Sequence, residues 1–144
     1  MSENTEVQVA LQRIYVKDIS FESPNAPELF QQQWQPKVNL DLQNKSRKLG
    51  EDVYEVSLEL TAKVVNADKT AFIAEVEQAG IFMIKGITGD SLNRVMGTFC
   101  LNILFPYVRE TIDSLCVKGS FPPLVLAPIN FDQLFQQSQE KNNK

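Results

Sequence analysis

The amino-acid sequence predicts an α+β fold: a four-stranded antiparallel sheet followed by a long, proline-kinked helix and a short C-terminal helix, with the helices on one face of the sheet. Two observations support this prediction. In the first half of the chain, apolar residues alternate with polar ones, as in strands that have one solvated face. After Gly89 the apolar residues recur at spacings of three and four, which is typical of a helix.

The first strand is predicted over residues 7–22, where apolar residues occupy the odd positions at both ends. Ile14 and Val16 break this alternation, because they add apolar side chains to the otherwise polar even face. Two explanations remain open: the middle of the strand is covered on both sides, or a bulge shifts its phase. A turn and an irregular crossover follow at residues 23–36, and they carry two prolines early and two large aromatic residues later.

Three more strands are predicted in antiparallel order. The second begins after the crossover, and NKSRKLGED at 44–52 is expected to hold the next turn. Residues 53–65 show the most regular alternation in the chain, with the even positions facing the core and the odd positions, Glu55 among them, facing water. NADK at 66–69 has the residue types of a second hairpin turn. The fourth strand follows, and Gly80 is expected to interrupt it.

The long helix is predicted from residues 92–116, whose apolar side chains recur at helical spacing. Asp90 or Ser91 is the expected N-cap. Pro106 is expected to kink or restart the helix, because proline removes a backbone donor and crowds the preceding turn. Gly119 is expected at the C′ position just past the helix end.

A proline-rich apolar loop separates the long helix from the short one, within KGSFPPLVLAPINFDQLF at 118–135. Its three prolines and one glycine argue against a regular strand or helix, although a segment this apolar should be buried. Asn130 and Gln133 have the spacing of a capping box, which predicts that the short C-terminal helix starts there.

The composition is that of one globular domain. The 144 residues show no linker and no internal repeat, so we predict a single domain over 1–144 with flexible ends at 1–6 and 139–144. The net charge of −4 argues against nucleic acid or an anionic membrane as the main partner. The sequence shows neither a signal peptide nor a membrane-spanning segment, which predicts a cytoplasmic protein.

The inventory of reactive side chains argues against catalysis. The chain has no histidine, which removes the usual Ser-His-Asp and Cys-His mechanisms and most transition-metal sites. The two cysteines, Cys100 and Cys116, are expected to be buried free thiols, because a continuous helix would hold them too far apart for a disulfide. We therefore expect no enzyme, no cofactor and no metal.

The predicted fold has more apolar surface than one subunit can bury. The long helix is apolar nearly all round between Phe99 and Tyr107, and such a helix must be buried on all sides. We expect an oligomer that sandwiches this helix, and a monomer whose loops cover it is the alternative. Further apolar residues lie in or beside loops, where they either plug the core or line a groove for extended apolar segments.

Four segments resemble the SecB family of protein-export chaperones. In order along the chain they are RIYVKDISFESPNAP at 13–27, QWQPKVNLDL at 33–42, CLNILFPYVRE at 100–110 and KGSFPPLVLAPINFDQLF at 118–135. These motifs are long and unusual, so chance is a poor explanation. Leu101 departs from the pattern, since the family usually has proline there, and the C-terminal tail is shorter and less acidic than in many relatives.

The resemblance implies a cytosolic homotetramer, built as a dimer of dimers, with no ATPase activity and no metal cofactor. Such chaperones hold newly made precursor proteins unfolded and pass them to the SecA motor at the membrane. The residues that it implies for a hydrophobic client-binding groove are Phe30, Trp34, Phe82, Leu124 and Leu126. The residues that it implies for a SecA-docking face are Asp18, Glu22, Ile73 and Glu75, which the strand pattern also places on the polar side.

Three other functions remain open. A specialised SecB-like paralogue, for instance one serving a toxin–antitoxin pair, would show the same motifs. A structural or adaptor module would use the apolar loops to bind one folded partner at fixed stoichiometry, whereas a chaperone would suppress aggregation of several unrelated proteins. A small-molecule enzyme would need a polar catalytic group in the groove, and we identify none.

Overall fold

The structure, a computed structural model, describes residues 6–142 and confirms the predicted α+β arrangement. Residues 1–5 and 143–144, on which part of the predicted flexibility falls, lie outside the described residues. A single 3-10 turn, Glu28–Gln31, lies in the crossover. The strands are β1 (Gln8–Glu22), β2 (Lys37–Gly50), β3 (Val53–Asn66) and β4 (Lys69–Lys85), and the helices are α1 (Gly89–Gly97), α2 (Phe99–Lys118) and α3 (Phe131–Asn142).

The four strands form one antiparallel sheet in the order β1-β4-β3-β2. α2 packs on β4 and β3 from one side, which we call the helix face, and the opposite side is the open face. The core lies between α2 and the sheet, and its fully buried side chains include Leu58, Leu60, Val76, Leu104, Val108 and Ile112. No helix within residues 6–142 is long and apolar enough to cross a membrane.

Two bulges in β1, at Gln12 and Lys17, explain the broken alternation in its middle. Each bulge leaves one residue without a partner on β4, so the phase of the side chains reverses there. Ile14, which pairs with Gly80, therefore shares the helix face with the apolar residues before and after it. Tyr15, which an unbroken alternation predicts on the apolar side, lies on the open face instead.

The two hairpin turns were predicted with different success. The segment 44–52 does hold the predicted turn, but β2 extends to Gly50 and only Glu51–Asp52 connects it to β3. β2 is an edge strand, and the half of it that ends at Gly50 is largely polar on both faces. This half therefore lacks the alternation that identifies a strand. The turn between β3 and β4 is confirmed: Ala67 and Asp68 have φ of 53° and 63°, as the favoured two-residue hairpin turn requires.

β4 continues through Gly80, where the sequence predicted an interruption. A Cβ atom at this position would lie 3.3 Å from Cδ2 of Leu104 on α2 and 2.9 Å from Cε1 of Phe82. The glycine therefore permits the close approach of α2 to the sheet and does not end the strand.

The long helix is interrupted at Thr98, between α1 and α2. Thr98 has φ −127° and ψ −71°, and its hydroxyl donates to the carbonyl of Arg94 at 2.6 Å. α2 then continues through Pro106, so the helix restarts after Thr98 and not at the proline. α1 begins at Gly89, just before the two residues predicted as N-caps.

Backbone N–H groups make hydrogen bonds at both ends of the proline-rich loop. The N–H of Gly119 donates to the carbonyls of Leu115 and Cys116 at 3.0 Å each. Its φ of −87° is not the left-handed conformation of a C′ glycine, so the predicted role of this glycine was wrong. At the other end Asn130 is confirmed as the N-cap of α3, since the N–H of Gln133 donates to Oδ1 of Asn130 at 3.0 Å.

Gly119→Ala is expected to destabilise the fold by about 1–3 kcal/mol, because it overpacks an aromatic contact. The new Cβ would lie 2.5 Å from Cζ of Phe21 and 3.1 Å from Cδ2 of Phe121. Gly50→Ala is the matched control, since nothing lies within 4 Å of a Cβ at that position. Urea unfolding measures both variants, and equal free energies of unfolding would contradict the predicted crowding.

Candidate functional site

The crossover between β1 and β2 and the loop between α2 and α3 meet at Phe121. The centroid of its buried ring lies 4.7 Å from that of Phe72 on β4. The rings of Phe30 and Trp34, both in the crossover, lie 5.4 Å and 5.5 Å from it. Phe21 of β1 stacks on Phe72 at 5.4 Å and completes the group, which we call the aromatic cluster. Aromatic pairs are favourable at these separations, so the two loops stabilise each other.

The aromatic cluster is buried at its centre and open on one side. Phe72 and Phe121 have exposures of 0% and 5%, whereas Phe30 and Trp34 have exposures of 47% and 37%. The exposed rings therefore rest on a buried aromatic floor. A supported apolar surface of this kind can contact the apolar side chains of an extended polypeptide, and it offers no nucleophile, acid or base.

The residues predicted for the client-binding groove are distributed unevenly. Two of them, Phe30 and Trp34, belong to the aromatic cluster. Leu124 is half-buried and Leu126 is buried, while Val125 between them is 70% exposed. Phe82 is fully buried. It lies on the helix face of β4, since successive residues of the strand point alternately toward α2 and away from it. The structure thus places Phe82 in the core of the subunit, away from any surface that a client could contact.

The centre of the cluster, Phe121, has only a weak signal in the sequence. It is the one aromatic residue between α2 and α3, and nothing in that loop indicates which strand it faces. Phe21 and Phe72 follow the apolar phases of their strands, but the alternation does not indicate that their rings meet. The convergence becomes visible only when both loops are placed over the same end of the sheet.

The residues predicted for the SecA-docking face lie together on the open face, across β1 and β4. The strand register pairs Glu22 with Ile73 and Ser20 with Glu75, and Asp18 precedes them on β1. Asp18, Glu22 and Glu75 are exposed, and Ile73 is half-buried between them. Oε2 of Glu75 accepts a hydrogen bond from the hydroxyl of Ser20 at 3.3 Å. We call Asp18, Glu22, Ile73 and Glu75 the acidic patch, and its charge would complement a basic partner surface.

Glu55 lies on the open face but is only 7% exposed, contrary to the prediction that it faces water. Its Oε2 accepts from the hydroxyl of Tyr15 at 2.6 Å. Its Oε1 accepts from Nζ of Lys17 at 3.3 Å and from Nε of Arg47 at 3.1 Å. The Tyr15 bond, followed by the bonds from Arg47 and Lys17, lowers the pKa of Glu55 to about 2 against the opposing effect of burial. The carboxylate therefore links both edge strands to β3.

Tyr15 is expected to ionise near pH 12, because burial and then the hydrogen bond to Glu55 raise the pKa of its phenol from 10.0 to about 12. A raised pKa means that this contact stabilises the fold fully below pH 10 and that its contribution is lost between pH 10.0 and about 12. Subtracting the ultraviolet titration of Tyr15→Phe from that of the unmodified protein isolates this phenol. Glu55→Gln should shift the transition to lower pH. A transition already complete near pH 10 in the unmodified protein would contradict the assignment.

Cys100 and Cys116 are buried and free, as the sequence predicted. Burial raises the pKa of the Cys100 thiol to about 12 and also raises the pKa of the Cys116 thiol. Thiols of this kind remain protonated near neutral pH, which makes them poor nucleophiles and metal ligands. Within residues 6–142, no group of three or more His, Cys, Asp or Glu side chains is placed to hold a metal ion.

A cavity of about 500 Å³ lies away from the aromatic cluster, between β2, α1 and α3. Its lining includes Leu42, Met96, Leu101 and Phe131, together with asparagine and serine side chains. None of the predicted site residues lines it, and its described lining contains no titratable side chain. It therefore lacks a group for general acid–base catalysis.

The sequence is similar to a family described as preprotein translocase subunit SecB, which matches residues 2–142. A protein-export protein SecB from Hahella chejuensis is 53% identical over 145 residues, which cover 98% of this chain and 91% of that relative. Proteins of the same name from Pseudomonas fluorescens and Legionella pneumophila are 54% and 52% identical. Their alignments cover 96% and 99% of this chain, and 86% and 88% of the relatives.

A solved structure has the same fold. It is a SecB-like chaperone from Mycobacterium tuberculosis in complex with a peptide from the HigA1 antitoxin, and it matches with a TM-score of 0.71. The match covers 85% of this chain and 91% of the other at 18% identity. At this identity the likeness shows the arrangement of the sheet and helices alone.

Proposed function

This chain belongs to the SecB family of protein-export chaperones, and we propose that it is an ATP-independent cytoplasmic holdase that keeps precursor proteins unfolded and delivers them to the SecA motor. The family is one of chaperones and not of enzymes. The observation that most supports client binding is the open side of the aromatic cluster. The proposed client-binding surface consists of Phe30, Trp34, Leu124 and Val125, without the buried Phe82 and Leu126.

Client binding would follow from apolar contact. An unfolded precursor exposes apolar and aromatic side chains, and each Å² of apolar area removed from water contributes about 25 cal/mol. Because a holdase binds the unfolded state and not the folded one, it shifts the folding equilibrium of the client by mass action and needs no nucleotide. Apolar contact is non-directional, so we expect low selectivity for client sequence.

We also propose that four subunits assemble around α2. The outer side of α2 exposes Phe99 and Tyr107, at 46% and 47%. The helix face of the edge strands exposes further apolar side chains, with Ile19 of β1 at 46% and Leu40 of β2 at 51%. Partner subunits that covered these side chains would remove them from water. Several client-binding surfaces on one tetramer would add avidity for a long precursor. Each chain would contribute residues 1–144 as one domain.

The acidic patch is the surface that we propose for SecA docking. It lies on the open face, whereas the aromatic cluster is built from the helix face and the loops beside it. A client and SecA would therefore bind different sides of the sheet. Exposed carboxylates around the half-buried Ile73 would steer a basic partner and give it one apolar contact.

The alternatives from the sequence are less well supported. The curated relatives that are 52–54% identical carry the protein-export name, which favours an export chaperone over an adaptor module. The antitoxin-bound chaperone resembles this chain in fold at 18% identity, so it does not favour a toxin–antitoxin role.

Native mass spectrometry with and without an unfolded precursor tests assembly and client binding together. We expect a tetramer that binds the unfolded precursor and leaves its folded form unbound. A companion assay with several unrelated unfolded proteins should show suppressed aggregation without nucleotide. A monomer at micromolar concentration would contradict the proposed assembly, and binding confined to one folded partner would contradict the holdase.

A further inference from the structure

Asn66, the last residue of β3, holds the segment around Trp34 with both ends of its amide. Nδ2 donates to the carbonyl of Gln33 at 3.1 Å, and Oδ1 accepts from the N–H of Gln35 at 2.7 Å. The residue is only 4% exposed, so these bonds are largely shielded from water. The two bonded residues flank Trp34, whose ring is left free to contact Phe121 and solvent.

Asp113 on α2 makes a comparable contact with the proline-rich loop. Its Oδ1 accepts from the N–H groups of Leu124 and Val125, each at 3.1 Å. Val125 has φ 49°, in the left-handed region that a β-branched residue rarely adopts. Its side chain is 70% exposed, so burial of that side chain does not stabilise the conformation. The two bonds to Asp113 stabilise this conformation and so help to offset its backbone strain.

Neither contact uses a side chain of the client-binding surface. Asn66 and Asp113 bind backbone atoms only, the first from the end of β3 and the second from α2. In the sequence, Asn66 belongs to a hairpin turn and Asp113 to the polar side of a helix. The structure gives both residues a common role: each fixes a short loop segment that carries exposed apolar side chains.

We propose that Asn66 and Asp113 are positioning residues that preorganise the client-binding surface. They hold Gln33–Gln35 and Leu124–Val125 in the conformations that present Trp34 and Val125 to solvent. A client then binds without the entropic cost of ordering these segments. The inference rests on the proposed client-binding function of the two loops, and it assigns the two residues to client affinity and not to SecA docking.

The test compares Asn66→Ala and Asp113→Ala with Asp113→Asn, an isosteric change that keeps an oxygen acceptor for both amides. Each alanine variant should bind an unfolded precursor roughly tenfold more weakly, chiefly through slower association, because fewer molecules have a competent surface. Asp113→Asn should stay within about twofold of the unmodified protein. Asn39→Ala, at an exposed asparagine on β2, is the matched control for Asn66.

Hydrogen exchange and assembly distinguish a positioning role from a general loss of structure. Amides at 33–35 and 124–125 should exchange faster in the alanine variants, while those of β3 and β4 should not, and the tetramer mass and SecA affinity should remain unchanged. Alanine variants that exchange faster yet bind precursor normally would overturn the inference and leave the holdase function standing. A loss of precursor affinity in Asp113→Asn as large as that in Asp113→Ala would also overturn the inference. An unmodified protein that binds no precursor would instead refute the proposed function.

Discussion

Trp34→Ala is expected to weaken the binding of an unfolded precursor roughly thirtyfold, the equivalent of about 2 kcal/mol, while the proposed tetramer stays intact. The indole is 37% exposed and rests on the buried ring of Phe121 at 5.5 Å. A large aromatic side chain that is already fixed on a floor contributes contact area at little cost in conformational entropy. Removing the indole therefore lowers client affinity more than it lowers the stability of the subunit.

Leu49→Ala is the matched control for Trp34→Ala. Leu49 is 44% exposed, but it lies beside the β2–β3 turn, whereas Trp34 lies beside the β3–β4 turn at the other end of β3. Calorimetry or fluorescence anisotropy with a labelled precursor measures client affinity, and native mass spectrometry measures assembly. If Trp34→Ala bound the precursor as tightly as Leu49→Ala does, the aromatic cluster would not be the client-binding surface.

Charge reversal of the acidic patch, Asp18→Lys with Glu75→Lys, is expected to lower SecA affinity about a hundredfold, since like charges brought together at an interface cost several kcal/mol. Both residues are exposed on the open face, on adjacent strands. Client affinity should not change, because the aromatic cluster is built from the helix face and its loops. The loss should be smaller at high ionic strength, which screens exposed charges.

Asp41→Lys with Glu51→Lys makes the same change in charge at a different place and serves as the control. Asp41 is exposed on β2, at the opposite edge of the sheet from β1, and Glu51 lies in the turn that follows β2. Surface plasmon resonance with immobilised SecA compares the two double variants. Unchanged SecA affinity after reversal at Asp18 and Glu75, or an equal loss in the control, would count against docking at the acidic patch.

Most of the architecture was predictable because its signals are local. The alternation at 53–65 became β3, the NADK turn became a two-residue hairpin, and Asn130 caps α3 as expected. Each of these signals depends on residues that are close in the chain, through side-chain periodicity or through a hydrogen bond across a few residues. The same holds for the family resemblance, which rests on contiguous motifs.

The assignments that failed depend on neighbours from elsewhere in the chain. Glu55 follows the polar phase of β3 but is covered by Tyr15 and Arg47 from the two edge strands. The second half of β2 has no apolar alternation, yet all of its residues except Leu49 pair with β3. Gly119 resembles a helix-ending glycine, but its lack of a Cβ matters because the ring of Phe21 lies against it.

The candidate sites also combine features that the sequence predicted with features that depend on tertiary contacts. The members of the acidic patch were identifiable from the sequence, but their adjacency depends on the bulge at Lys17, which returns Asp18 and Glu22 to the open face. The pattern could not show that Phe82 is buried beneath α2 or that Phe121 joins two loops, since both facts depend on how α2 packs on the sheet.

By itself, the sequence determined the order and type of the elements, most of their turns and the family to which the chain belongs. Only the tertiary structure decided which apolar side chains remain exposed and which polar side chains hold them in place. The physical reason is that periodicity and capping act between residues near in sequence, whereas burial and the contacts of Asn66 and Asp113 join segments that are distant in the chain.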